Sequence, residues 1–392
     1  MNNSEAFLEL VRAGLWNGNV NVNGNFNGNG NYDGVEWEEV FRLAAEQSVV
    51  GLVAAGMDNG NVNGNGNVNG KLHLPFELKL GFIGEALQIE QRNLAMNEFI
   101  AELMGRLRNE KIHSLLVKGQ GVAQCYEKPL WRTSGDIDLL LSEDDYQAAK
   151  AYLTPMADEV DEENIEKKHL ALVINGFDVE LHARMPFEMS RRVDEVVEEV
   201  IERGINVNDN DNGNDNVNDN DNGNFNGNGE VWIPRADEHL ILVFTHFLHH
   251  FFIEGVGLRQ ICDWCRLLWR YREELDMGLL ESRIRRMGLM TEWKVFGTLA
   301  VNTLGIPGDA MPFYDVRYKS RGERVLKRVL KSGNFGHNND LSYRTRYSGM
   351  VYKVVAAWRR FVDFASLVPV FPVDAPRFYA TYIMNKIKGA IA

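Results

Sequence analysis

Cysteine is scarce: Cys125, Cys262 and Cys265 are the only three in 392 residues. An odd number this small builds no disulfide framework, which points to a reducing compartment. The first residues lack the basic and apolar regions of a signal peptide, and no apolar run reaches membrane-spanning length. The longest, 361–373, is cut by Asp363, Ser366, Pro369 and Pro372. A cytoplasmic protein without a transmembrane segment is expected. Positive charge is also short, with 42 Lys and Arg against 55 Asp and Glu for a net charge of −13. That balance excludes a non-specific nucleic-acid coat. The shortage is not uniform, because from Val316 onward 15 Lys and Arg meet only 4 Asp and Glu.

Apolar residues are not lacking. At 45% of the chain they suffice for real cores. Three tracts stand apart, 17–34, 58–70 and 206–229, where Asn alternates with Gly, Val, Asp or Phe. With no apolar face to bury and a high backbone entropy, they are expected to be loops or disordered insertions without chemistry.

The remainder divides by periodicity. A helical N-terminal region, 1–110, carries the Asn/Gly-rich loops. Its first helix has Ser4 as cap candidate, a second pattern runs over 35–55, and a long helix spans 74–109. In 111–205 the period changes. Ser114 to Val117 reads as a buried strand closed by Lys118-Gly119-Gln120-Gly121 and a short helix over 122–127. A second strand covers 136–141, and Ser142 then starts a helix through Leu153. Two β-prone runs, 169–174 and 177–182, are joined by Asn175-Gly176, a strong hairpin signal. After the 206–229 loop come a helical substrate-side region, 230–310, and a basic helical tail, 311–392. The expected class is α+β, a small mixed or antiparallel sheet between helical regions.

Asp136 and Asp138 carry the chemistry. On a strand they project to one face while Ile137 packs to the other. Two such charges about 4 Å apart repel by on the order of 4 kcal/mol at an effective dielectric near 20. A divalent cation relieves this economically, and oxygen-only ligands suit Mg²⁺ or Mn²⁺. Asp178, Glu180 and His182 alternate on the hairpin, so a third carboxylate near the Asp136 strand would complete a two-metal site for displacement at phosphorus.

This order of parts resembles the nucleotidyltransferases of the DNA polymerase beta superfamily, and most closely a group of uncharacterised nucleotidyltransferases. The residues that carry it are Val117-Lys118-Gly119, the run from Arg132 through Ser134 and Gly135 to Asp138, Val179 to His182, the helix with His246, and Leu258-Arg259 with Asp263. The resemblance implies Asp136 and Asp138 as metal ligands and Glu180, in preference to Asp178, as the third carboxylate. It further implies a nucleoside triphosphate substrate whose phosphates are contacted near Lys118, Gly119, Arg132, Ser134 and Gly135, with His182 beside the nucleotide. The expected reaction moves a nucleoside monophosphate to a hydroxyl of RNA, protein or a small molecule. Gly119 is followed by Gln120 where the superfamily has Ser or Gly, which motivates an alternative: an inactive nucleotide- or partner-binding module.

Three weaker features complete the reading. Arg259 and Asp263 are expected to pair on a helix surface. His246, His249, His250, Cys262 and Cys265 have spacings that fit zinc poorly. The basic tail combines Trp358, Phe361 and Phe364 with Lys353, Arg359 and Arg360, a pattern suited to RNA or an anionic membrane surface.

Overall fold

Helix α1 (Asn3–Trp16) opens on Asn2, whose side chain accepts from the Glu5 N–H at 2.9 Å while the Glu5 carboxylate accepts from the Asn2 N–H at 3.0 Å. This reciprocal box places the cap at Asn2, two residues before the expected Ser4. The computed structural model describes residues 1–16, 32–60, 75–210, 231–339, 346 and 348–391. The pattern over 35–55 is not one helix but two, α2 (Trp37–Glu46) and α3 (Val50–Gly60), broken where Ser48 takes a positive φ of 55°. Helices α1 and α3 cross at paired glycines. A Cβ on Gly14 would lie 1.9 Å from the Leu52 carbonyl oxygen, and one on Gly56 would lie 2.0 Å from that of Leu10. Only glycine permits so close an approach.

The long α4 (Phe76–Asn109) leads into the sheet, whose strands are β1 (Ser114–Val117), β2 (Ile137–Leu141), β3 (Glu159–Val160), β4 (His169–Ile174) and β5 (Phe177–His182). Their order is β1-β2-β5-β4-β3, with β2 and β5 parallel and the other pairs antiparallel. The fold is therefore mixed, as expected, although β3 is an addition to the sequence reading. At the hairpin turn Asn175 and Gly176 both have positive φ, 52° and 75°, the backbone such a two-residue loop requires. Short helix α5 (Gly119–Ala123) follows β1 directly, three residues earlier than expected. Ser142 caps α6 (Glu143–Leu153) by accepting from the Asp145 N–H at 3.1 Å.

The alternation of β2 divides the interior. Ile137, Leu139 and Leu141 join a core with Val179 and Leu181 against α4 and α6. Leu140 faces the opposite, helical core, and Asp138 shares its side of the strand. That second core joins α1, α2 and α3 to α7 (Arg191–Asn210), α8 (Ala236–Ile253), α9 (Leu258–Tyr271), α10 (Met277–Met287) and α11 (Met290–Leu299), with α12 (Lys319–Ser332), α13 (Gly349–Leu367) and α14 (Asp374–Ile391) in the tail. Helices α3 and α7 run three and five residues into the Asn-rich tracts, because a formed helix propagates more readily than it nucleates. Apart from these ends and 32–34, the tracts lie outside the described residues. Among the described residues no helix is long and apolar enough to cross a membrane.

Candidate metal centre

Parallel pairing of β2 with β5 sets Asp138 beside Glu180, and Asp136 stands one residue before β2. One carboxylate oxygen from each of Asp136, Asp138 and Glu180 lies within 4.8 Å of the others. The strand period turns the Asp138 and Glu180 side chains to the face away from α4 and α6, toward α8 and α9. Asp178, two residues nearer the turn, is exposed and stays outside this cluster.

Lys118 and two histidines close on the same carboxylates. Lys118 Nζ lies 2.5 Å from Asp138 Oδ1, and its backbone is in a region rarely used by non-glycine residues, φ 58° and ψ −152°. His182 Nε2 lies 3.0 Å from Asp138 Oδ1 and 3.2 Å from Glu180 Oε2. His169 Nε2 approaches the same Glu180 oxygen at 3.3 Å. The charge of Asp138, followed by burial, raises the Asp136 carboxyl above its ordinary value. Burial also opposes ionisation of Glu180, but the bonds from His169 and His182 outweigh it and hold that carboxyl low. Lys118 and His182 are likewise opposed by burial, and the neighbouring carboxylates nevertheless keep both raised.

The loop before β2 is fixed from two sides. Buried Asn93 of α4 donates to the carbonyls of Leu130 and Arg132, each at 2.8 Å, and the Ser134 hydroxyl donates to Asn93 Oδ1. Arg132 forms a buried fork with Asp263, Nε to Oδ1 at 2.8 Å and Nη2 to Oδ2 at 2.7 Å, and the Tyr126 hydroxyl donates to the same Oδ1 at 2.7 Å. The expected Arg259–Asp263 surface pair is thus replaced. Asp263 is buried and taken by Arg132, while Arg259 donates to the Thr133 carbonyl at 2.9 Å. A Cβ on Gly119 would lie 3.1 Å from the Asp136 carbonyl oxygen, so this glycine keeps α5 close to the start of β2. Gly135 lines the cavity described next.

Two adjoining cavities, with Asp136 and Glu180 lining both, open on the carboxylates. An inner one of about 260 Å³ has Lys118, Asp136, Asp138 and Glu180 on the sheet side, with His246, His250, Arg259 and Gln260 from α8 and α9 opposite. An outer one of about 350 Å³ is bordered by Gly135, Glu159, Asp161 and Asp178. Phe335, in the turn after α12, reaches both. Burial holds the His246 imidazole well below its usual value, hence neutral.

Several of these residues escaped the sequence reading. Phe335 carries no local signal. Glu159 opens a strand only two residues long and Asp161 follows it. His169 had one: a two-residue loop at Asn175-Gly176 dictates the hairpin register, which sets His169 directly opposite His182.

The donor set fits a hard divalent cation. Three carboxylates converge, two from paired strands and one from the residue just before β2, and Asp138 Oδ2 is buried without a hydrogen-bond partner. Oxygen donors in this number suit Mg²⁺ or Mn²⁺. In comparison with known proteins, the family described as "Uncharacterised nucleotidyltransferase" matches residues 33–305. No curated protein and no solved structure matches the chain.

Proposed function

The chain belongs to the uncharacterised nucleotidyltransferase family, and from that premise we propose that it moves a nucleoside monophosphate from a nucleoside triphosphate to a hydroxyl acceptor, releasing pyrophosphate. The observation that supports this reading is the convergence of Asp138 and Glu180, on adjacent parallel strands, with Asp136, one residue before the first of them. These residues would hold Mg²⁺ or Mn²⁺, which would neutralise phosphate charge and favour ionisation of the attacking hydroxyl. Glu180, the third carboxylate, would complete the metal site or take the proton that the attacking hydroxyl loses. Lys118 supplies a cation at the inner cavity for phosphate oxygens. Arg132, committed to Asp263, holds the loop that carries Asp136 rather than reaching for phosphate.

The outer cavity bears on the acceptor. Glu159, Asp161 and Asp178 border it, so it disfavours an acceptor rich in phosphate and suits a neutral or cationic alcohol. On α13, exposed Val354, Trp358 and Phe361 form an apolar stripe beside the basic residues of the tail, which suits contact with an anionic lipid surface more than with this cavity's substrate.

Purified protein incubated with Mg²⁺ or Mn²⁺ and each α-labelled nucleoside triphosphate, with bulk RNA, protein or small alcohols, tests the reaction. Transfer of label by wild type but not by Asp136→Ala/Asp138→Ala is expected. No pyrophosphate release with any acceptor would favour a second reading, an inactive nucleotide- or partner-binding module, for which the Lys118 ammonium seated on Asp138 is the supporting observation.

A further inference from the structure

The hairpin places a second donor set beside the carboxylates. His169 and His182 are opposite one another across β4 and β5, and Glu180 precedes His182 by two residues, so all three share one face. Ala171 is the partner of Glu180, and its small side chain leaves room above that carboxylate. Both imidazoles present Nε2 to a single oxygen, Glu180 Oε2, at 3.2 and 3.3 Å. The two rings lie 4.8 Å apart and 30° from parallel. One donor atom from each residue falls within 4.8 Å of the others.

These spacings carry chemical information. Four donors around a cation at about 2.0–2.1 Å in a tetrahedron are separated by roughly 3.3 Å, whereas octahedral Mg²⁺ at similar bond lengths brings neighbours to about 2.9 Å. The two nitrogen-to-oxygen separations, 3.2 and 3.3 Å, match the tetrahedral edge, and the third, between the imidazoles, lies within 4.8 Å. Two imidazoles and one carboxylate form a borderline donor set, suited to zinc-like cations and poor for Mg²⁺. Three protein ligands also leave a fourth position for water or substrate.

We propose that His169, Glu180 and His182 form a binding site for a borderline divalent cation of the zinc class, next to the oxygen-only site and joined to it through Glu180. The adjoining Asp136–Asp138 site is the one in the proposed nucleotidyl transfer, and the present inference rests on that reading only through the shared glutamate. Two unlike cations then lie side by side, one held by oxygen alone and one held largely by nitrogen. Such a pair predicts that Mg²⁺ in excess fills only the first.

Cobalt(II) reports the coordination directly, because a four-coordinate ion with nitrogen donors absorbs visible light far more strongly than an octahedral one. The full chain, freed of metal by chelation, is titrated with Co²⁺ in a large excess of Mg²⁺ and without nucleotide. An intense visible band that saturates at one equivalent is expected, and Zn²⁺ should abolish it by displacement. His169→Gln, at a half-exposed position, should weaken Co²⁺ binding at least tenfold while leaving the unfolding midpoint of the metal-free protein near that of wild type. Asp136→Asn should keep the band and lose any Mg²⁺-dependent thermal shift with a nucleoside triphosphate, so failure of the transfer reading and failure of this site give different results. A weak octahedral spectrum, loss of Co²⁺ to Mg²⁺, or an unchanged affinity in His169→Gln would overturn the proposal and leave the histidines as hydrogen-bond donors to Glu180.

Discussion

The Lys118 ammonium rests 2.5 Å from Oδ1 of Asp138, so the carboxylate cluster carries a cation built into the chain. A metal bound at the same carboxylates would compete with that ammonium for their charge. Replacing Lys118 by Ala should therefore tighten Mg²⁺ binding by about tenfold, or about 1.4 kcal/mol, while lowering the stability of the metal-free protein. Calorimetric titration with Mg²⁺ checks this; an affinity no tighter than that of wild type would show that ammonium and metal do not share a site.

Arg132 and Asp263 are both nearly inaccessible and are joined by two bonds. Asp263→Ala strands a buried guanidinium, and removal of one partner from such a pair costs about 3–5 kcal/mol. Arg132→Lys keeps the charge but loses the fork, and should cost at least half as much. Urea unfolding of the two variants measures both losses, and a cost below about 1 kcal/mol for Asp263→Ala would contradict the pairing.

At the α1–α3 crossing, either glycine replaced by alanine must push two backbones apart. Overpacking of this kind costs typically 1–3 kcal/mol, and here the obstacle is a carbonyl rather than a side chain that can move. Gly14→Ala and Gly56→Ala should each lower the thermal midpoint, and the double variant should lose less than the sum because one separation relieves both clashes.

Asp194, in the first turn of α7, accepts from the N–H groups of Phe187 and Glu188 at 2.9 and 3.2 Å. Burial nevertheless raises its carboxyl from an ordinary 3.8 to about 6. The native state thus holds a proton in a range where the unfolded chain has released it. Stability contributed by this group is present below about pH 4, falls as pH rises to about 6, and then levels off. The total fall is on the order of 1–3 kcal/mol. Asp194→Asn keeps an oxygen acceptor and removes the titration, so its unfolding free energy should vary less between pH 4 and 6; a parallel pH profile in the two proteins would remove Asp194 as the cause.

Local patterns were legible where one short-range rule decides. The hairpin at Asn175-Gly176, the cap at Ser142 and the alternating face of Ile137-Asp138-Leu139 follow from turn geometry, hydrogen bonding and the two-residue period of a strand. Relationships that depend on tertiary distance were not. Asp263 has a cation four residues away on its own helix, yet pairs with Arg132 of a distant loop, because burial rewards the fork that the fold makes available. The break between α2 and α3 was hidden by continuous apolar periodicity, which the positive φ at Ser48 interrupts without any glycine or proline to announce it. Helix α7 was missed altogether, although its valines and isoleucines are spaced for burial.

Phe335 closes both cavities from the turn after α12, and its place in the chain differs from that of the groups it faces. The carboxylates, the histidines and Arg259 fall within the stretch shared with the family, 33–305, whereas Phe335 lies thirty residues past its end. One side chain from beyond the matched stretch thus joins the wall of both cavities, whose other borders, Glu159, Asp161 and Asp178 among them, lie within it. A change of side chain at Phe335 would therefore reshape both cavities at once, with the carboxylates and histidines left in place.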